Sequence, residues 1–148
     1  KTSTVDTLIH FVKSTMNKYE YDYLVVLQAT SPLRNYQDIN KSIDLIKKNK
    51  SLSLFSISES SQHPYSTIVL QKNKKWKYLL QKAKNFYRRQ DFNLETFFIN
   101  GAIYIVSKKH LLKYKKIYSN NHSFYKMPKN RSLDINDYDD IESAKKML

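Results

Sequence analysis

The sequence predicts an α/β fold in which strands alternate with packed helices. Two observations carry that prediction. Leu24-Val25-Val26-Leu27 is an unbroken apolar run rich in β-branched residues, as expected of a strand covered on both faces in a parallel sheet. It stands between two segments whose apolar residues recur every three or four positions, the pattern of amphipathic helices laid on a sheet.

Taken in order, Thr2–Lys18 puts Val5, Leu8, Ile9, Val12 and Met16 on one helical stripe, and Ser3 or Thr4 with Asp6 supplies a cap. Tyr21–Gln28 is the first strand. Gln28, Thr30, Ser31 and Arg34 follow at once, and Pro32 removes a backbone donor and stops the strand. Open α/β sheets bind ligands beyond the carboxyl ends of their strands, so this tip is a candidate site; a polar turn leading into a helix cap is the plainer alternative. Asn35–Lys50 is a second helix, with Ile39, Ile43 and Ile46 inward and Lys47, Lys48 and Lys50 near its C-terminus, where the helix dipole favours cations. Ser51–Glu59 alternates Leu52, Leu54 and, after Phe55, Ile57 with serines, and reads as a strand parallel to the first.

Thr67–Leu80 reads as a hairpin, two apolar runs around Lys72-Asn73-Lys74-Lys75 with Trp76 on the return. Asn85–Asn93 is polar and irregular. Phe97–Val106 returns to strand, interrupted by Asn100-Gly101, and His110–Tyr118 is a short Lys-rich helix. Phe124–Met127 is a short strand ended by Pro128, and Asp137–Leu148 closes the chain as a helix with Ile141, Ala144 and Leu148 on one side.

At 148 residues the chain fits one domain with a real core. It has no cysteine, no run near the ~20 apolar residues that cross a bilayer, and no signal-peptide pattern at its N-terminus, which suits a soluble cytoplasmic protein without membrane partners. The formal charge of +13 invites a nucleic-acid reading. Composition argues against it, because 22 of the 26 basic residues are Lys, scattered among Asn, Ile and Tyr without a recognition motif. That scatter makes the four arginines, Arg34, Arg88, Arg89 and Arg131, informative: Arg offers a planar fork for carboxylate or phosphate that Lys cannot copy.

Several residues have the chemistry of a site. Gln28 carries an amide that donates and accepts at once, suited to a base edge or a sugar hydroxyl, or it is a solvent-facing turn residue. Asn100-Gly101 inside a strand pattern suggests a bulge that turns a side chain into a cleft, or a purely structural bulge. Gly101 is the only glycine, kept where a Cβ would collide or where φ must be positive. Five of the 13 acidic residues fall within Asp134–Glu142. Mg²⁺ binding accounts for them, as does a helix N-terminus at Asn136 or Asp137, and the two are compatible. The four His show no metal-ligand spacing.

The segment Leu27–Arg34, LQATSPLR, resembles the LQPTSPLR segment of the acylneuraminate cytidylyltransferases, with Ala29 where that family has proline. Arg88-Arg89-Gln90 followed by Asn100-Gly101-Ala102-Ile103-Tyr104-Ile105, and then Ser132-Leu133-Asp134-Ile135-Asn136, match it in the same order. The resemblance implies a three-layer, Rossmann-like nucleotidyltransferase sheet over residues 1–148, with a protruding hairpin arm at about 63–86 whose 67–80 portion reaches a second subunit of a homodimer. It implies an enzyme that joins CTP to a nine-carbon, sialic-acid-like sugar with Mg²⁺, giving a CMP-sugar for surface glycans and pyrophosphate.

By the same resemblance Arg89 and Asp134 are catalytic, and Gln28, Ser31, Arg34, Arg88, Gln90, Asn100, Gly101 and Tyr104 bind substrate. Asp134 and Asn136 hold the metal, although the family pattern is Asp-x-Asp and Asn136 adds no charge. One residue more than usual separates Gln90 from Asn100, so Arg88 can stand in for Arg89. The family cradles its nucleotide in a Gly-Ser loop that this sequence lacks, so the chain reads as a C-terminal portion. On its own it is expected not to catalyse, and to leave apolar surface bare beside Leu24–Leu27. Rival expectations are a legionaminic, pseudaminic or ketodeoxyoctonic acid substrate, a non-catalytic binding or assembly remnant, and a basic RNA-binding domain.

Overall fold

A computed structural model describes residues 3–80 and 94–147. They divide into two compact units, one from Lys1–Ser58 and Ile99–Leu148, the other from Glu59–Phe98. The first contains helices α1 (Thr4–Thr15), α2 (Tyr36–Asn49), α3 (Lys108–Tyr114) and α4 (Tyr138–Lys145). Its sheet is made of β1 (Tyr23–Leu27), β2 (Ser53–Glu59), β5 (Phe97–Ser107) and β6 (His122–Lys126), in the order β1-β5-β2-β6. The second unit holds the hairpin of β3 (Ile68–Leu70) and β4 (Trp76–Tyr78).

The helix ends follow their sequence signals. Ser3, Asn35 and Asp137 each accept from the amide three residues on and receive a carboxylate in return from Asp6, Asp38 and Asp140, three complete capping boxes. Lys50 and Lys115 close α2 and α3 in the left-handed conformation, with φ of 51° and 52°. That turn at Lys115 ends α3 at Tyr114, four residues before the expected Tyr118.

The core lies on both faces of the sheet. On one face Ile46 of α2 packs with Leu54, Ile103, Ile105 and Met127, and on the other Val12 of α1 and Leu111 of α3 pack with Leu24 and Val106. The alternation along β1 and β5 distributes these side chains, since Leu24 stands opposite Val106 and Val25 opposite Ile105 in register.

One expectation about the sheet is corrected. β1 was read as a strand covered on both faces in a parallel sheet, and β2 as a strand parallel to it. β1 instead pairs antiparallel with β5 and, among the described strands, with nothing on its other edge. Val25 and Leu27 are 39% and 41% exposed. β1 and β2 do run in the same direction, because β5 lies between them and opposes both: Ser107 N donates to Leu52 O and Ile103 N to Ser56 Oγ, contacts that step in opposite senses along the two strands. The parallel pair is β2 with β6. An apolar run shows that a strand seeks cover but not which strand supplies it. The bare apolar surface expected beside Leu24–Leu27 is present, as a groove lined by Leu8, Phe11, Tyr19 and Tyr21 together with β1 itself.

The hairpin appears where its sequence placed it, with Asn73 turning at φ 78°. Both of its strands are open to solvent, Leu70 at 75% and Trp76 at 56%, and the Trp76 ring meets Tyr78 edge to face. No helix among the described residues is long and apolar enough to cross a membrane.

Asp38 at the start of α2 is fully buried. Its carboxylate accepts from Arg131 Nη2 at 2.8 Å and Nε at 3.0 Å, from Tyr125 Oη at 2.9 Å and from the Asn35 amide at 3.1 Å. Burial alone would raise this carboxyl, but the Arg131 fork, the Asn35 amide and the Tyr125 hydroxyl bring it below the usual range. A depressed folded value means stabilisation that is complete above the unfolded value near 4 and is lost as pH falls through the folded one. The unfolding midpoint should therefore fall steeply below about pH 4, and Asp38→Asn should flatten that slope while costing about 1–3 kcal/mol at pH 7. Thermal melts of both proteins across pH 2–7 check this, and equal acid slopes would contradict it.

Candidate functional site

The turn after β1 is built by its own polar groups. Arg34 Nη1 donates to Gln28 O at 3.0 Å and to Ala102 O at 2.7 Å, lacing the turn to β5, and the Ser31 amide donates to Gln28 O. Burial lowers the Arg34 guanidinium from its ordinary value, opposed by the negative charge of Asp38. Nη1 of the expected anion fork at Arg34 is thus engaged with carbonyl oxygens. Ser31 is buried, and its Oγ makes no hydrogen bond.

Opposite this turn the β5 ladder breaks at Asn100-Gly101. Gly101 has φ 75°, which by itself calls for glycine, and a Cβ there would lie 2.5 Å from Gln28 Oε1, the movable end of a flexible side chain. The Gln28 side chain lies over the glycine. Asn100 is buried, and protein groups occupy its whole amide: Oδ1 accepts from Ser56 Oγ at 2.6 Å and the Ala102 amide at 3.2 Å, while Nδ2 donates to Ser132 Oγ at 3.0 Å and toward Met127 Sδ at 3.4 Å. The Asn100 side chain is thus turned to protein groups in the interior.

The segment after β6 closes the site. A single 3-10 turn, Lys129–Arg131, leads to Ser132, whose hydroxyl donates to Pro128 O while it accepts from Asn100, and the Ile135 amide donates to Thr30 O at 2.8 Å. These bonds carry Asp134 to the neighbourhood of Tyr104. Burial raises the Tyr104 hydroxyl to about 12, helped by Tyr118, whose ring it meets edge to face, and by the Asp134 charge. It stays protonated, and is a donor, at any physiological pH.

Asp134 Oδ1 is buried and makes no hydrogen bond. A carboxylate oxygen left in that condition is costly unless something outside the protein completes it. The neighbouring acids have other work. Asp137 and Asp140 form the capping box of α4, and Glu142 pairs with Lys145 on the surface. Asn136 is exposed, and its Nδ2 donates to Asp134 O. No group of three His, Cys, Asp or Glu among the described residues can hold a metal by itself. One carboxylate still suits Mg²⁺, which keeps several waters and takes its remaining oxygens from substrate phosphates.

The structure therefore brings Gln28, Gly101, Tyr104 and Asp134 to one place at the tip of β1, with Ser31, Arg34 and Asn100 as its frame. Arg88, Arg89 and Gln90 lie outside the described residues. Sequence reasoning missed Asp38, Tyr125 and Ser56. The Asn35-x-x-Asp38 spacing signals a capping box, but nothing local tells that its acid also takes Arg131.

No family model matches the chain. It is similar to N-acylneuraminate cytidylyltransferases of Streptococcus agalactiae serotype III, 31% identical over 136 residues, and of Escherichia coli O18:K1:H7, 29% identical over 144 residues. These alignments cover 91% and 90% of this chain but 32% of each relative. It is also similar to the pseudaminic acid cytidylyltransferase of Campylobacter jejuni serotype O:2, 26% identical over 144 residues, 97% of this chain and 60% of the relative. The chain thus spans about a third of the length of the acylneuraminate relatives it matches.

Gly101→Ala should cost about 1–2 kcal/mol in urea unfolding, the usual penalty for a side chain in the left-handed region. The far end of Gln28 can swing aside, so backbone strain carries the cost. Adding Gln28→Ala should leave it in place, with a coupling below about 0.5 kcal/mol in the double-mutant cycle. Full rescue by Gln28→Ala would show that collision dominates.

Proposed function

From this likeness to sugar-acid cytidylyltransferases, we propose that the chain forms part of a nucleotidyltransferase that activates a nine-carbon sugar acid with CTP, releasing a CMP-sugar and pyrophosphate for surface glycan synthesis. The observation that carries the reading is Asp134 Oδ1, buried and unbonded beside Tyr104 and within the last of three ordered family-like motifs. On this reading the anomeric hydroxyl attacks the α-phosphate of CTP, and catalysis is mostly positioning and charge stabilisation.

Each residue then has a part. Gln28 offers its amide at the strand tip to a hydroxyl or base edge, over a glycine that leaves room for it. Tyr104, held protonated, donates a hydrogen bond. Asp134, with Asn136 beside it, holds Mg²⁺, which when bound neutralises charge on the phosphates and on the leaving pyrophosphate. Arg88, Arg89 and Gln90 are the groups proposed for the sugar carboxylate or the phosphates, an Arg fork being suited to either. Arg34, Ser31 and Asn100 shape the cleft from behind. The sequence contains no glycine-rich loop to cradle a triphosphate, so that device would come from elsewhere in the active protein.

The hairpin is proposed as the dimer arm. Ile68, Val69, Leu70 and Trp76 are exposed on a ribbon of two three-residue strands, too little to form a core of its own. A second subunit would bury them, as aromatic anchors are buried in interfaces.

Two measurements test these proposals. The complete reading frame that contains these residues should release pyrophosphate from CTP only with a sugar acid and Mg²⁺, and a panel of eight- and nine-carbon acids identifies the substrate. Asp134→Asn should abolish that turnover and leave the melting temperature nearly unchanged, since Oδ1 has no hydrogen bond to lose. Lost stability with retained turnover would remove Asp134 from the site. Separately, sedimentation should give a dimer, which Trp76→Glu shifts toward monomer because burying an unpaired charge is costly. A monomeric parent at tens of micromolar would remove the arm from the proposal.

A further inference from the structure

Resting on the reading of Asp134 above, we propose that Arg131, held by Asp38, is a positioning residue for Asp134. The pair fixes the stretch that follows β6 against the N-terminus of α2, and so sets where the Asp134 carboxylate stands relative to Gln28.

Asp134 Oδ1 has no bond of its own to aim it, so its place is set by the backbone from which it hangs. That backbone has three anchors. Two are single neutral hydrogen bonds, Asn100 Nδ2 to Ser132 Oγ and the Ile135 amide to Thr30 O, and each leaves a pivot. The third is a two-point, charge-assisted fork from Arg131 to both oxygens of Asp38. Asp38 cannot turn to follow a moving partner, because it is fully buried and is fixed in the capping box with Asn35.

The helix that carries Asp38 begins directly after the turn of Gln28, Ser31 and Arg34. The fork therefore joins the two halves of the cleft, the strand tip and the Asp134 segment. Mere retention of charge would not need arginine. In a chain that uses Lys at 22 of 26 basic positions, Arg at 131 marks a place where the planar two-point geometry matters.

Arg131→Ala would strand a buried carboxylate and put folding itself at stake, so Arg131→Lys and Asp38→Asn are the informative variants, with Lys145→Ala on α4 as control. In the complete protein, amide hydrogen exchange is followed at Ile135, Ile46 and Val106, and Mn²⁺ binding by electron paramagnetic resonance. In Arg131→Lys and Asp38→Asn, Ile135 should exchange at least about tenfold faster over and above any acceleration that Ile46 and Val106 share through lost stability, and Mn²⁺ affinity should fall about tenfold, the usual effect of losing support behind a metal ligand. Lys145→Ala should change neither. Unchanged exchange at Ile135, or equal acceleration at all three amides, would overturn the proposal by showing no effect or a general loss of stability. If the parent protein binds no Mn²⁺ while Ile135 alone responds, the clamp stands and the metal reading of Asp134 falls.

Discussion

Asn100 sits where three stretches of the chain meet, and its amide has nothing left over. Ser56 on β2, Ala102 on β5, and Met127 and Ser132 after β6 take all its hydrogen-bonding positions. An amide buried at that density is costly to leave unpaired, about 1–3 kcal/mol for each group, so none of the three stretches can shift without the others. The break in the ladder follows from it. Ile103 N turns to the Ser56 hydroxyl in place of a backbone carbonyl, Gly101 takes the left-handed turn, and the gap above the glycine receives Gln28.

The segments that folded as read are those whose signals are local. Capping boxes need only residues three apart, and α1, α2 and α4 begin where Ser3, Asn35 and Asp137 place them. The hairpin is legible for the same reason, two short apolar runs about a lysine-rich turn. The position of β1 was not legible. Whether Leu24–Leu27 lies in the middle of a sheet or at its border depends on strands such as β5, about 80 residues later in the chain, and an apolar run of four carries no record of its neighbour.

The site shows the same division. That Gly101 matters could be read from its being the only glycine, and the structure gives the cause, a positive φ, with the Gln28 amide lying close above it. Residue type is a poorer guide to what a polar side chain touches. Arg34 carries a fork fit for an anion and gives Nη1 to two carbonyl oxygens, and Asn100 has an amide chemically suited to a sugar hydroxyl that faces the interior. Asp38 went unnoticed because its partners, Tyr125 and Arg131, lie about 90 residues away. Such long-range pairings are what a linear pattern leaves out.

Among the described residues of the candidate site, subtracting the groups that hold the fold leaves few that can face a ligand. Gln28, Tyr104 and Asp134 remain at the strand tip, two neutral donors and one acid in a chain of net charge +13. A net positive charge attracts any polyanion, and that attraction does not discriminate. A carboxylate at the same spot works against it, since it repels a triphosphate unless a cation lies between them. On the proposed reading, that acid would make phosphate binding conditional on a metal ion. The proposed site thus sets a single acid within a basic chain, and the interior bonds of Asn100 and Arg34 help to hold the segments on either side of it in place.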